Sequence, residues 1–231
     1  MTPDPARPAV SGRASTRELI LDTAERLFAE QGIAATSNRR IAEAAGQGNN
    51  WVAGYHFGSK ADLVRAITRR FTAEADRSRA QLLAGLDDSA GLAELLGCLV
   101  RPWTDRFDAL GPNSYFARVC AQAMNSPTLR PIVVEAGSHS DSLERTWEAL
   151  DAFLPGPADL SSELRRGMIT HLIVFVCAER ESALAEGRPT SRATWADEAD
   201  GIIDALHGII TAPTADLAPS PARRRPYGQV S

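Results

Sequence analysis

The chain is poor in the residues that staple or metallate proteins. It has three cysteines in 231 residues, Cys98, Cys120 and Cys177, far apart and odd in number. Each lies in an apolar run, which argues against a disulfide frame or a zinc site and predicts buried free thiols in a reducing cytoplasm. The four histidines, His56, His139, His171 and His207, have no metal-binding spacing. No glycine-rich phosphate loop and no nucleophile elbow occurs, so catalysis finds no constellation of residues and no cofactor is expected. No charged N-terminal segment leads into a long apolar one, as a secretory signal requires. The longest nearly uncharged apolar run, Met168 to Ala178, is well short of the roughly 20 residues of a membrane span. No useful length alternates with period two, so no sheet is expected.

What is there is an ordinary globular balance, 44% apolar and 23% charged, enough to bury a sizeable core. The length suits two domains, one small and one larger. The net charge of −4 is unevenly spread. Residues 1–70 hold ten basic and seven acidic side chains, against fifteen and twenty-two in the rest. Lys60 is the single lysine. A basic excess at one end of an acidic chain is compatible with a nucleic-acid partner for that end.

Helical period dominates between two proline-rich ends, an arm over residues 1–14 and a tail over 212–231 that carries Arg223-Arg224-Arg225. Ser15-x-x-Glu18 is a capping box, and behind it Ile20, Ala24, Leu27 and Phe28 form one stripe stopped by Gly32. Thr36 or Ser37 caps a second short helix through Ile41, Ala44 and Ala45, ended by Gly46. A third runs from about Asn49 to Phe57, with Phe57 in the core. Ser59-x-x-Asp62 opens a fourth, read as 59–84, with Leu63, Ala66, Ile67 and Phe71 on one face. Stripes at Leu92–Phe107, Tyr115–Ala123 and Leu143–Leu154 follow, then helices near 160–187 and 191–211. The reading is all-α, with a small helical domain over 15–60 and a helical bundle over 61–211.

Two short helices joined at Ala45-Gly46 and closed by a buried aromatic have the dimensions of a helix-turn-helix, whose second helix reads base edges in the major groove. The stretch Leu27-Phe28-Ala29-Glu30-Gln31-Gly32, then Ala35 through Gly46, then Tyr55-His56-Phe57-Gly58-Ser59-Lys60 resembles the TetR family over about residues 15–70. The resemblance implies a dimeric regulator that binds a palindromic double-stranded DNA operator and is released from it by a small-molecule effector. It places Thr36, Tyr55, His56 and Lys60 on phosphates, and Asn49 where a capping serine is usual. The turn is one residue longer near Gln47, and Gly54 stands where tyrosine is usual. From residue chemistry, Asn50 suits adenine, and Trp51 either packs on a thymine methyl or sugar or covers the domain surface. Ser37, Arg39 and Arg40 complete the expected DNA-contacting set.

In the larger domain, Leu172 to Ala178 is apolar on every side and must be buried all round. The resemblance implies that the last two helices pair with their counterparts in a homodimer, and Val174, Ile202 and Leu206 are the expected seam. Trp103, Phe107, Tyr115, Phe116, Met124, Trp147, His171 and Phe175 line an effector pocket or are plain core; both readings stay open. Pro102 removes one helical hydrogen bond inside the Leu92–Phe107 stripe, so a bend is expected there. The competing functions are an enzyme, a helical interaction protein without DNA binding, and a regulator that uses no ligand.

Overall fold

Three capping serines frame the amino-terminal domain. Ser15 accepts the amide of Glu18 while Glu18 caps the Ser15 amide, opening α1 (Thr16–Gln31); Ser37 caps α2 (Asn38–Ala44). Ser59 and Asp62 form the same reciprocal box at the start of α3 (Lys60–Ala84). In each case the cap satisfies amides that the helix itself leaves without partners. Gly32, with φ +93°, and Gly46, with φ +68°, follow α1 and α2 in a conformation that side chains rarely adopt. The computed structural model describes residues 15–46, 57–87, 89–138, 140–154 and 160–213.

The body continues with α4 (Leu92–Leu110), a 3-10 turn at Gly111–Asn113, α5 (Phe116–Met124), α6 (Arg130–Ser138), α7 (Asp141–Asp151), α8 (Leu160–Ala185) and α9 (Trp195–Thr211). Among the described residues there is no strand. The fold is all-α, as expected. α6 escaped the sequence reading because it is one short piece with Pro131 in its first turn, a position proline tolerates, and it offers no long stripe. α2 buries Ile41, Ala42 and Ala45, leaving Ala44 exposed, so its stripe lies one residue away from the one expected.

α3 belongs to both domains. Leu63, Val64 and Ile67 are buried toward the head, and Phe71, Ala75 and Arg79 toward the body. α9 packs along α4, and α5 lies between α8 and the head. This arrangement buries the expected dimer seam inside the single chain. Val174, Ile202 and Leu206 are at most 2% exposed within the single chain, spent on its own core. α9 has one apolar stripe, and α4 occupies it. The apolar residues that α8 leaves outside are Leu164, Met168, Phe175 and Leu184.

Pro102 sits inside a single helix, α4, running from Leu92 to Leu110. Lacking an N–H, it cannot donate to the Cys98 carbonyl four residues earlier. The buried Arg79 does so instead, its Nε donating to Cys98 O at 3.0 Å. The same guanidinium lies 3.5 and 3.4 Å from the Ser140 and Ser142 hydroxyls, which in turn donate to the Asp76 carboxylate. Burial pulls the Arg79 pKa down, and Asp76 works against that pull.

The three thiols are buried and free. Burial pushes Cys120 up to about 12, and lifts Cys177 and Cys98 as well. A thiolate is the reactive form, so all three are inert in the folded chain. We expect Arg79→Leu to cost about 1–3 kcal/mol in urea unfolding, because it leaves the buried Cys98 carbonyl without its donor. Pro102→Ala restores a donor to that carbonyl and should recover part of the loss. Strict additivity of the two changes would show that Arg79 does not substitute for the missing amide.

Candidate nucleic-acid interface

The head is built around Phe28, Ile41 and Phe57, with Arg17 laid over the Phe57 ring at 4.8 Å. The turn between α1 and α2 is held from three directions. Thr36 donates its hydroxyl to Gly32 O at 2.9 Å and Leu27 O at 3.3 Å. Lys60 donates its ammonium to the carbonyls of Ile33 and Ala34 at 3.1 and 2.7 Å. Gln122, from α5, accepts the Ile33 amide and donates to Phe28 O, both at 2.8 Å.

These bonds change two of the expected roles. Thr36 is fully buried with its hydroxyl engaged, so in this geometry it is a strut and does not reach a phosphate. Lys60 is first of all a clamp on the turn, with one ammonium hydrogen left for a phosphate. Ser37 is exposed, and its hydroxyl accepts the Arg40 amide at 3.1 Å. Arg39 is 74% exposed and pairs with Glu43 at 2.7 Å, one helical turn on. The Arg40 side chain is exposed and forms no ion pair among the described residues. Asn49, Asn50, Trp51, Tyr55 and His56 lie outside the described residues.

Sequence reasoning missed Asn38, whose Nδ2 reaches Gly58 O at 3.3 Å and ties α2 to the start of α3. It also missed Gln122, whose one visible signal is an amide interrupting the apolar run of α5. Arg70, on α3, pairs with both Asp22 and Glu25 on α1. Those two carboxylates keep the guanidinium charged against the cost of its burial.

The expected effector pocket is divided. Phe71, read in the sequence only as part of the α3 stripe, stacks on Phe116 with ring centroids 3.8 Å apart and touches Phe107 and Trp103 at 5.3 and 5.1 Å. These rings fill the space between α3, α4 and α5. Met124 is buried, and Tyr115 lies under Arg118. Trp147 lies under Arg166, while His171 bonds its own helix at Gly167 O and stacks on the exposed Phe175. The eight residues therefore do not converge on one cavity. A groove of about 480 Å³ opens elsewhere, between α3 and α6, lined by Arg65, Arg69, Thr72, Asp76, Ile132 and Ser140 among others.

A small capped head, docked through one long helix on a helical body, defines a helix-turn-helix protein of two domains. Residues 20–67 match the family described as bacterial regulatory proteins, tetR family. The amino-terminal domain is similar to that family over those residues. The HTH-type transcriptional repressor KstR2 of Rhodococcus jostii (strain RHA1) is 40% identical over 99 residues, 42% of this chain and 47% of that one. The match thus spans about half the length of that relative. The fatty acid degradation regulator FadR from Bacillus halodurans shares the fold with a TM-score of 0.59 at 19% identity, over 86% of this chain and 97% of that one. A TetR-like transcriptional regulator from Rhodococcus sp. RHA1 gives 0.54 at 19%, over 87% and 96%. At such identities the likeness is one of fold. No helix among the described residues is long and apolar enough to cross a membrane.

The roles of strut and phosphate contact separate experimentally. Thr36→Val should lower stability by about 1 kcal/mol while leaving the salt dependence of DNA binding unchanged. Arg40→Ala should leave stability alone and reduce the slope of log affinity against log salt by about one. A reduced slope for Thr36→Val would restore Thr36 to the phosphate contacts.

Proposed function

We propose that the chain is a homodimeric transcriptional regulator that represses from a palindromic operator and is released by a small effector. The observation that carries this reading is the TetR-family match over residues 20–67, on a head whose caps and clamps present Ser37, Arg39 and Arg40 to solvent. The segment after Gly46 contains Asn49, Asn50, Trp51, Tyr55 and His56, the side chains proposed to reach bases and phosphates. Two-fold symmetry of the protein then matches two-fold symmetry of the operator.

The dimer seam proposed in place of Val174, Ile202 and Leu206 is the outer face of α8. Leu164, Met168 and Phe175 are 59%, 50% and 36% exposed, at helical spacing on a long helix. Large apolar side chains left outside a bundle in one row suit a second copy of the same helix. The effector site that fits best is the groove between α3 and α6. It mixes apolar floor with charged and hydroxyl groups, and α3 carries the head. A molecule wedged there bears directly on the head's support.

Binding to the DNA upstream of its own gene tests the regulator. Affinity should fall about 10³–10⁵-fold between 50 and 200 mM salt if some 6–10 phosphates are neutralised. Binding indifferent to salt and sequence would defeat the reading and favour a helical interaction protein. Met168→Asp should give folded monomers in light scattering, whereas Val174→Asp should unfold the chain, because Val174 is core. An intact dimer from Met168→Asp would move the seam elsewhere. Effectors found by screening metabolites for release of that DNA should lose their effect on Thr72→Trp, which fills the groove.

A further inference from the structure

We infer that the Gln122 carboxamide is the latch that fixes the angle of the DNA-binding head on the body, and hence the separation of the two heads that an operator must match. The inference rests on the dimeric-regulator reading.

Among the described residues, both side-chain hydrogen bonds between the head, 15–46, and the body beyond α3, 85–213, belong to Gln122. The geometry uses both ends of the carboxamide. Oε1 takes the Ile33 amide, which follows the end of α1. Nε2 gives to Phe28 O, one of the last-turn carbonyls of α1 that also accepts the Gly32 amide. One side chain thus grips the C-terminal end of α1 and the turn leading to α2 at once. Both partners are backbone groups, so a small slide of α5 along α1 breaks the two bonds together.

The other end of α5 is anchored as tightly. Tyr115, at its N-cap, offers no side-chain cap. The buried Glu181 of α8 does so from across the bundle. It accepts the Ser114 hydroxyl at 2.5 Å and the Ala117 and Arg118 amides at 3.4 and 2.9 Å, and pairs with Arg118 Nε at 3.1 Å. A carboxylate at a helix N-terminus is favoured by the free amides and the dipole there. The first residue of α5, Phe116, stacks on Phe71 of α3. α5 is therefore a nine-residue rod clamped to α8 at one end and to the head at the other. α8 is the helix proposed to meet the partner subunit, so the rod relates each head to the two-fold axis.

Loss of the latch leaves the head on α3 and on the undirected packing of α1 against α5, which allows it to rock. Such a head still binds its half-site but no longer prefers one separation of half-sites. Gln122→Met keeps the length and removes both hydrogen bonds. Val119→Ala, in the same helix, weakens α5 packing without touching the latch. In hydrogen exchange on the full-length chain, Gln122→Met should speed the Ile33 amide about tenfold, the worth of one hydrogen bond. Val119→Ala should leave that amide in place. On palindromes taken from the upstream DNA, with the half-sites moved apart or together by one base pair, the unaltered protein should discriminate sharply. Gln122→Met should flatten that preference, and Val119→Ala should lower all affinities by a common factor. An unchanged Ile33 amide, or a spacing preference as sharp in Gln122→Met as in the unaltered protein, overturns the latch. If the unaltered protein shows no preference for any spacing, the regulator reading fails, and the Ile33 exchange still decides the bond.

Discussion

The burial of one continuous face of α3 is the constraint on which the rest of this molecule depends. A helix of 25 residues is about 37 Å long and bends little. Its first three turns give Leu63, Val64 and Ile67 to the head, and the next turns give Phe71, Ala75 and Arg79 to the body. Neither core is complete without it. Whatever displaces α3 in the body therefore displaces the head, and a chain built this way need not transmit a signal through a flexible linker.

A single rod does not fix an angle, however, and the directed ties that do are polar. Arg70 reaches from α3 to two carboxylates on α1, Lys60 folds back on the α1–α2 turn, and Gln122 meets that turn from the other side. Apolar contacts between helices tolerate small slides, whereas a hydrogen bond of 2.8 Å between groups of fixed direction does not. Division of labour follows from this physics. Hydrophobic burial supplies the energy of the fold, and a few directed bonds supply its geometry.

The same economy operates inside the body. Pro102 removes one donor from α4 and Arg79 replaces it; Tyr115 caps nothing and Glu181 fills in. In both places a local sequence that breaks a helix rule is repaired by a charged side chain more than a dozen residues away. A buried charge is costly unless it is bonded, so each repair is tolerable only because several partners share it. Arg180, equally buried, is held by Glu198 and two carbonyls of the loop before α9.

The amino-acid sequence by itself determined the elements: the boxes at Ser15 and Ser59, the stops at Gly32 and Gly46, the all-helical class, the family likeness of the head and the buried free thiols. These are decided by neighbours within four residues or by composition, so a linear reading finds them. The tertiary structure decided which face each helix spends. Val174, Ile202 and Leu206 are as apolar as any seam residue, but α4 and the core claim them, and the exposed row on α8 falls on Leu164, Met168 and Phe175. The aromatics read as a pocket close on one another because Phe71 enters among them from α3. Thr36 turns inward because Leu27 and Gly32 present carbonyls to it, and Gln122 matters because the bundle carries it to a turn some ninety residues earlier in the chain. Helical period says that a residue has a face; only the packing of the other helices says what that face meets.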